Sequence, residues 1–394
     1  MFFLGSHYLD YHLRMFQPPN QGVSAQTLPW SEDFDPAYAE GMVRAVLQLL
    51  NEAYFRTQLI GFDHPVARNN PDAPVIMVSN HSGMAMPWDA VAFVSALLHQ
   101  FNFDQSKVCR ILIAPVLNRL GVMHPFAIPD FWKKCGGVDA TFRNFEHLMQ
   151  HPFANVLVYP EGVKGIGKGF NYRYRIQRLA TSFVRMSIKY RTDIVPFATV
   201  NAEYINPWMY SVGWVNRLVQ RISGLPFLPL GLLTPLLLLQ PWLFYLAFPA
   251  KLTFVMGKRI RISDWVDKPL EDFSESEIMA IRDRVYEQMQ EELRQAVTEY
   301  GKRPFAWREF FGALRSSWRQ FPLWLPFGWP FLFTAYEQSC RNDNPLQQAP
   351  ASGWKTVWST LRRRPFLAWY FVPVIGWIPI IIRSLRLQKK ATGM

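Results

Sequence analysis

A histidine placed directly after an apolar run, with a carboxylate a few residues on, can move a proton. The stretch Asn80-His81-Ser82-Gly83-Met84-Ala85-Met86-Pro87-Trp88-Asp89 follows the β-branched run Val75–Ser79. Open α/β sheets keep their chemistry where strands end and loops begin. His81 stands at such a strand end, in a turn that contains glycine, and Asp89 stands where a helix is expected to start. A carboxylate on one ring nitrogen fixes the tautomer and leaves the other to accept the proton of an attacking hydroxyl. A hydrogen-bonded histidine of purely structural role reads the same locally, so the pair needs support from elsewhere in the chain.

A second block offers it. Tyr159-Pro160-Glu161-Gly162-Val163-Lys164-Gly165 ends another strand-like run and continues as Ile166-Gly167-Lys168-Gly169. Small residues let backbone N–H groups approach an anion, and Lys164 and Lys168 add charge, a pattern suited to a phosphate-bearing ligand. Glu161 can bind an acceptor hydroxyl or hold His81 and the loop; pairing with an arginine is the structural alternative. Gly162 to Lys168 also satisfies Gly-x4-Gly-Lys, but Gly169 replaces the Ser or Thr that ligands Mg²⁺, and no strand-borne Asp accompanies it. Nucleotide hydrolysis is therefore not expected.

Other chemistries fail on their own terms. His147 and His151 share a helical face, but Leu148 occupies the place of the glutamate in His-Glu-x-x-His and no third ligand is apparent, so no metal is expected. No Gly-x-Ser-x-Gly elbow exists, against a serine hydrolase of the usual α/β type, and Ser82 reads as a turn residue. Tyr172–Arg178 alternates basic and apolar residues; it contacts a head group or is a solvated edge.

The two blocks resemble motifs of the phospholipid/glycerol acyltransferase superfamily. Asn-His-Ser-Gly followed by Pro-Trp-Asp is similar to its first motif, in the branch with the longer His-to-Asp spacing: seven residues separate His81 from Asp89, and Met86 stands where the commoner pattern has Asp. Gly137-Val138-Asp139-Ala140-Thr141-Phe142-Arg143 loosely resembles the second motif, Tyr159–Gly165 the third with Tyr for Phe, and Ile194-Val195-Pro196-Phe197 the fourth. The likeness covers about residues 61–203, with a weaker echo beyond. It implies a lysophosphatidate acyltransferase-like α/β fold with a central mixed sheet flanked by helices. It also implies direct acyl transfer from acyl-CoA or acyl carrier protein to a glycerolipid or lysophospholipid hydroxyl, without a cofactor. Asp89 would orient His81 as the general base. Asn80, Arg143, Glu161, Gly162 and Lys164 would bind substrate, and amides near His81 or in the 162–169 loop would stabilise the oxyanion. The Arg-rich 172–178 stretch would then reach the phosphates of the donor. A neutral acceptor of the diacylglycerol type, or a silent lipid-binding protein of the same fold, remains open.

Around these residues the chain must build a sheet. Val75–Ser79, Val108–Ala114, Val156–Tyr159, Ile194–Val200 and Lys251–Gly257 predict buried strands by length and β-branching. Asp89–His99, Phe142–Gln150 and Leu179–Tyr190 predict helices between them, the alternation of an α/β domain. Ala37–Leu59 predicts a helix from the spacing of Met42, Val46, Leu50 and Tyr54. Ser274 and Glu277 form a capping box that opens a long amphipathic helix, with Gly301 as its stop. The resulting division is residues 1–60 as an irregular segment and helix, 61–301 as the catalytic domain, and 302–394 as a C-terminal region.

Composition adds the membrane. Of the 394 residues, 49 % are hydrophobic and 18 % charged, which argues against disorder, and 15 % are aromatic, with 15 Trp. Residues 302–394 hold 14 Lys or Arg against Glu309, Glu337 and Asp343, together with eight of the Trp, so most of the net charge of +12 lies there. Basic charge interleaved with tryptophan suits an anionic lipid surface. Long uncharged runs disfavour nucleic acid. Ile222–Ala250 is 29 residues without a charge, yet Pro226, Pro229, Pro235, Pro241 and Pro249 break any spanning helix. It reads either as a membrane-dipping or substrate-covering segment or as a buried loop. Gln320–Tyr336 and Pro365–Ile382 are further uncharged runs, the second flanked by Arg362–Arg364, Arg383 and Arg386, and it reads as an in-plane or re-entrant anchor. Three scattered cysteines fit a reducing compartment, and no secretory signal is expected. The expectation is a membrane-associated protein whose active site faces the cytoplasm.

Overall fold

The computed structural model describes residues 34–382 apart from 85, 120–122, 224–226, 232–233 and 379. The expected irregular N-terminal segment up to residue 33, Ala85 of the first motif, and the flanking Arg383 and Arg386 lie outside the described residues.

Seven strands form one mixed sheet in the order β1-β7-β6-β2-β5-β3-β4. They are β1 (Gln58–Ile60), β2 (Ile76–Ser79), β3 (Cys109–Ile113), β4 (Val138–Asp139), β5 (Asn155–Val158), β6 (Ile194–Val200) and β7 (Thr253–Met256). β6, β2, β5, β3 and β4 run parallel, while β7 pairs antiparallel with β6. A strand buried on both faces needs apolar or hydrogen-bonded side chains throughout; β2, β5 and β6 are fully buried, with Ser79 and Thr199 bonded to each other and Asn155 to Val75 N–H. Alternation along each strand then feeds two cores. Ile76, Val78, Val156 and Val158 point to one, Met77, Leu157 and Phe197 to the other. Each such side chain contributes about 1.5–3 kcal/mol when fully buried.

The helices divide between the two faces. Pro36–Met42 (α1) continues through Val43–Leu47 and Leu50–Tyr54 in wide turns, in which Gln48 N–H reaches Val43 O and Phe55 N–H reaches Leu50 O. The expected helix therefore ends before Leu59, which is claimed by β1. α1 shares its core with α2 (Trp88–Gln100). On the opposite face lie α3 (Phe142–Gln150), α5 (Ser182–Lys189) and α7 (Glu275–Tyr300); α4 (Val163–Ile166) is a single turn after β5, and α6 (Gly213–Ser223) comes between α5 and α7 in the chain. α7 opens with the Ser274–Glu277 capping box and buries Ile278, Val285, Met289 and Leu293.

Beyond α7 come α8 (Trp307–Ser316), α9 (Trp329–Arg341) and α10 (Gly353–Arg363). α9 begins inside the uncharged run Gln320–Tyr336 and continues past it to Arg341, and it buries Trp329, Leu332, Phe333 and Tyr336 in the core that holds Trp88. Trp329 meets the Trp88 ring edge-on at 4.7 Å. The C-terminal region thus completes the core on one side of the sheet. Within Ile222–Ala250, Tyr245, Ala247 and Ala250 are buried, whereas Leu236 and Leu239 are exposed, so the segment is core at one end and surface at the other. Among the described residues, no helix is long and apolar enough to cross a membrane.

Candidate active site

Three adjacent parallel strands deliver three polar residues to one edge of the sheet. His81 follows the C-terminal end of β2, Glu161 that of β5 and Glu203 that of β6. Neighbouring strands are about 4.8 Å apart, so residues just past their ends meet in space whatever their separation in sequence.

His81 Nδ1 lies 2.7 Å from Asp89 Oδ2. Asp89 is fully buried in the first turn of α2, where the helix end favours a negative charge. Its Oδ2 also accepts the Ser82 N–H at 3.0 Å, and its Oδ1 accepts the Ala90 N–H at 2.8 Å. With Nδ1 committed to the carboxylate, Nε2 is the nitrogen left for chemistry. The imidazole also packs on Tyr159, ring centroids 4.4 Å apart and 30° between planes. The Tyr159 hydroxyl is buried without a hydrogen-bond partner among the described residues, and burial raises its pKa well above the usual phenol range.

The turn that presents His81 is strained. Gly83 takes φ +131° and Met84 φ +66°. Non-glycine residues rarely adopt the latter, at a cost of about 1–3 kcal/mol. Hydrogen bonds hold the turn: Met84 N–H to Ile166 O at 2.9 Å, and the Asn206 amide to Gly83 O. Asn80 is 1 % exposed and exchanges both ends of its amide with the Thr199 backbone, at 2.9 and 2.8 Å, so it ties β2 to β6.

Glu161 resolves the choice left by the sequence. Its Oε1 accepts the His81 N–H at 2.8 Å and its Oε2 the Gln177 N–H at 2.6 Å. No arginine pairs with it among the described residues; Lys168 Nζ lies 3.9 Å from Oε2. Burial pushes the Glu161 carboxyl above the ordinary range, opposed by the Lys168 charge, the two backbone N–H groups and His81. Lys168 is 3 % exposed, and its ammonium also stands 3.4 Å from Glu203 Oε1, which accepts from Ser82 Oγ at 2.8 Å and Tyr174 N–H at 3.0 Å. Two corrections to the sequence reading follow. Lys168 is enclosed between two carboxylates instead of facing a phosphate. The backbone N–H groups of His81 and Ser82 are both committed to carboxylates, so neither is free for an oxyanion.

His81 lines a cavity of about 1020 Å³, mostly apolar. One part is walled by Leu47, Val94, Leu98 and Ile111, on the side of α2; another bears Lys164, Arg178, Arg185 and Arg282, of which Arg185 pairs with Glu275, also on the wall, and Arg282 with Asp283. Glu161 and Gly162 border it as well. Gly162 takes φ +57°, and nothing lies within 4 Å of the place its Cβ would occupy. Arg143 is exposed on α3 and is not among the lining residues, although Thr141 and Phe142 are.

Sequence reasoning missed Glu203, Arg185 and Arg282, and it missed what the Tyr172–Arg178 segment does. That stretch supplies backbone N–H groups at Tyr174 and Gln177 to the two buried acids. The one available signal was Glu203 itself, an acid three residues beyond an apolar strand.

No family model matches the chain. An uncharacterized protein of Mycobacterium bovis is 28 % identical over 240 residues, 61 % of this chain and 62 % of that protein. One of Mycobacterium leprae is 27 % identical over 265 residues, 66 % of this chain and 65 % of that protein. The chain thus matches less than two thirds of either relative's length. Among solved structures, the 1-acyl-sn-glycerophosphate (LPA) acyltransferase of Thermotoga maritima aligns with 67 % of this chain and 79 % of that one, at TM-score 0.33 and 15 % identity. A likeness of that order leaves the chemistry to rest on the site itself.

Proposed function

We propose that this protein transfers a fatty acyl group from an acyl thioester to a hydroxyl of a glycerolipid or lysophospholipid. The observation that carries the reading is the 2.7 Å contact of His81 Nδ1 with buried Asp89, made at the wall of a large apolar cavity. In this scheme His81 Nε2 takes the acceptor proton as the hydroxyl oxygen attacks the thioester carbonyl. The tetrahedral intermediate collapses with cleavage of the C–S bond. The departing sulfur takes the proton from the imidazolium, giving an ester and a free thiol. Proton transfer of this kind contributes about 10²–10⁴-fold to rate.

Substrate placement follows the cavity's two characters. The acyl chain takes the apolar part beside Leu47, Val94 and Leu98. An anionic group, from acyl-CoA, acyl carrier protein or the acceptor, takes the part bearing Lys164, Arg178 and Arg185. The acceptor is a membrane lipid met at an anionic surface, with the active site on the cytoplasmic side. The exposed Trp354, Trp358 and Trp369 beside basic residues of the C-terminal region support the surface contact. A neutral acceptor is favoured by one observation, the placement of Arg143 outside the cavity wall.

The test is transfer of radiolabelled acyl-CoA to a panel of lipid acceptors by wild type and His81→Ala. Loss of transfer in the variant is expected. Equal transfer by both would overturn the mechanism, and no transfer by either, from acyl-CoA or from acyl carrier protein, would assign a silent lipid-binding protein. A Lys164→Ala/Arg178→Ala pair should lose transfer to lysophosphatidate and keep transfer to diacylglycerol if phosphate is recognised there.

A further inference from the structure

α6 turns a polar face to the cavity and a tryptophan and a leucine to the surface. Gly213, Asn216 and Gln220 line the cavity, spaced along one face of the helix. The opposite face carries Trp214 at 65 % exposure and Leu218 at 49 %, four residues apart, with Arg217 and Arg221 exposed beside them. A surface helix of a water-soluble domain places its apolar stripe inward. Here the face that lines the cavity is small and polar, Val215 and Val219 are half-buried on its flank, and the outward face holds the tryptophan and the leucine.

Further exposed apolar residues follow α6 in the chain. Asn216 Oδ1 accepts the Leu228 N–H at 3.1 Å, and Leu230 pairs with Tyr210 through the backbone, so the chain after α6 is fastened to it. That chain leads to exposed Leu236 and Leu239. Leu239 O then accepts the Val374 N–H at 2.8 Å, and the Gln240 amide donates to Phe371 O at 3.0 Å. Val374, Ile375 and Ile378, all more than 40 % exposed, continue from there. The proline-broken segment and the last uncharged run are thereby joined side by side, through residues 131 apart in the case of Gln240 and Phe371.

We propose that α6 is the lipid-facing wall of the cavity, lying on an anionic bilayer from which the acceptor passes to His81. The inference rests on the acyl-transfer reading and adds to it the route of the acceptor. Charge selects a bilayer over a protein partner: between Tyr204 and Ser263 the chain has no Asp or Glu, while Arg217 and Arg221 flank the apolar residues of α6. Tryptophan and leucine enter the interface region, and arginines beside them are drawn to a charged leaflet.

The experiment uses the full chain, a Trp214→Ser/Leu218→Ser double variant and an Arg217→Gln/Arg221→Gln double variant. Binding is read by co-sedimentation with vesicles of phosphatidylcholine alone or mixed equally with phosphatidylglycerol. Transfer is read with a long-chain lysolipid embedded in the vesicles and with a short-chain acceptor below its micellar concentration. The apolar double variant should lose vesicle binding and transfer to the embedded acceptor by about tenfold or more, while transfer to the monomeric acceptor is kept. The arginine variant should bind mixed vesicles less tightly and phosphatidylcholine vesicles as wild type does. Wild-type vesicle binding by the apolar variant, or equal loss of both transfers, overturns the proposal. So does wild type that ignores vesicles but self-associates or binds a protein through this face. Wild type that transfers to neither acceptor overturns the acyl-transfer reading, and vesicle binding still decides the role of α6.

Discussion

Glu161 Oε1 accepts the backbone N–H of His81 at 2.8 Å, so the histidine is held from behind by an acid in the loop just past the neighbouring strand. Asp89 holds its ring and Glu161 its main chain. The two acids act on different parts of one residue, and their removal should have different consequences.

Asp89→Asn should leave the fold in place and remove most of the activity. Oδ2 faces both His81 Nδ1 and the Ser82 N–H, so an amide nitrogen in its place presents a donor to Nδ1, favours the wrong tautomer and costs the Ser82 N–H its acceptor, while the amide oxygen still accepts the Ala90 N–H. Transfer is expected to fall about 10²–10⁴-fold with a small change in melting temperature. Single-turnover acyl transfer beside a thermal melt measures both. Wild-type rates in the variant would leave His81 without a role for its ring partner.

Glu161→Gln is a question of stability against pH. Burial raises the Glu161 carboxyl above its unfolded value, so the fold favours its protonated form. That contribution is complete below the ordinary carboxyl pKa and is lost as pH rises through the raised folded value. Glutamine cannot ionise. The stability of wild type relative to Glu161→Gln should therefore be greatest near pH 4 and shrink towards neutrality, in paired urea titrations. A difference that grows with pH would mean that Lys168 and the backbone donors outweigh desolvation.

Lys168→Met removes the ammonium that stands between Glu161 and Glu203. Breaking a buried ion pair by deleting one partner costs about 3–5 kcal/mol. Adding Glu203→Gln removes one of the stranded charges while keeping an acceptor for Ser82 Oγ and Tyr174 N–H. The double variant should thus regain part of the lost stability in urea unfolding. Additive losses would indicate that the lysine acts through packing alone.

What the sequence made legible tracks how local each signal is. β2, β5 and β6 announce themselves because full burial demands unbroken apolar runs, and the Ser274–Glu277 box marks the start of α7 within one element. The spacing of His81 and Asp89 spans a single strand-to-helix turn, so their meeting could be anticipated. β1 and β4 could not: three and two residues carry no period, and both are set by the strands beside them. The Lys168–Glu203 contact joins residues on separate loops, fixed only once β5 and β6 flank β2. The basic look of Tyr172–Arg178 concealed its role because that role belongs to backbone N–H groups, which every residue but proline has.

Gly165 offers the sharpest test of how closely the site is built. A Cβ there would stand 2.6 Å from Glu161 Cβ and 3.1 Å from His81 Cβ. Glu161 cannot readily yield, since its carboxylate is buried and accepts two backbone N–H groups. Gly165→Ala must therefore push apart the strand end that carries Glu161 and the turn that carries His81, at a cost of about 1–3 kcal/mol for overpacking. A displacement of the base of about 1 Å can cost about 10²-fold in rate. The expected result is a kcat lowered by about ten- to a hundredfold with KM little changed, because the apolar and basic walls of the cavity are untouched. Gly312→Ala serves as the control: nothing lies within 4 Å of its Cβ position on α8, and it should leave kcat unchanged. A Gly165→Ala protein that is less stable but turns over normally would mean the added methyl is absorbed away from His81, and that the contact between these two loops does not set the position of the base.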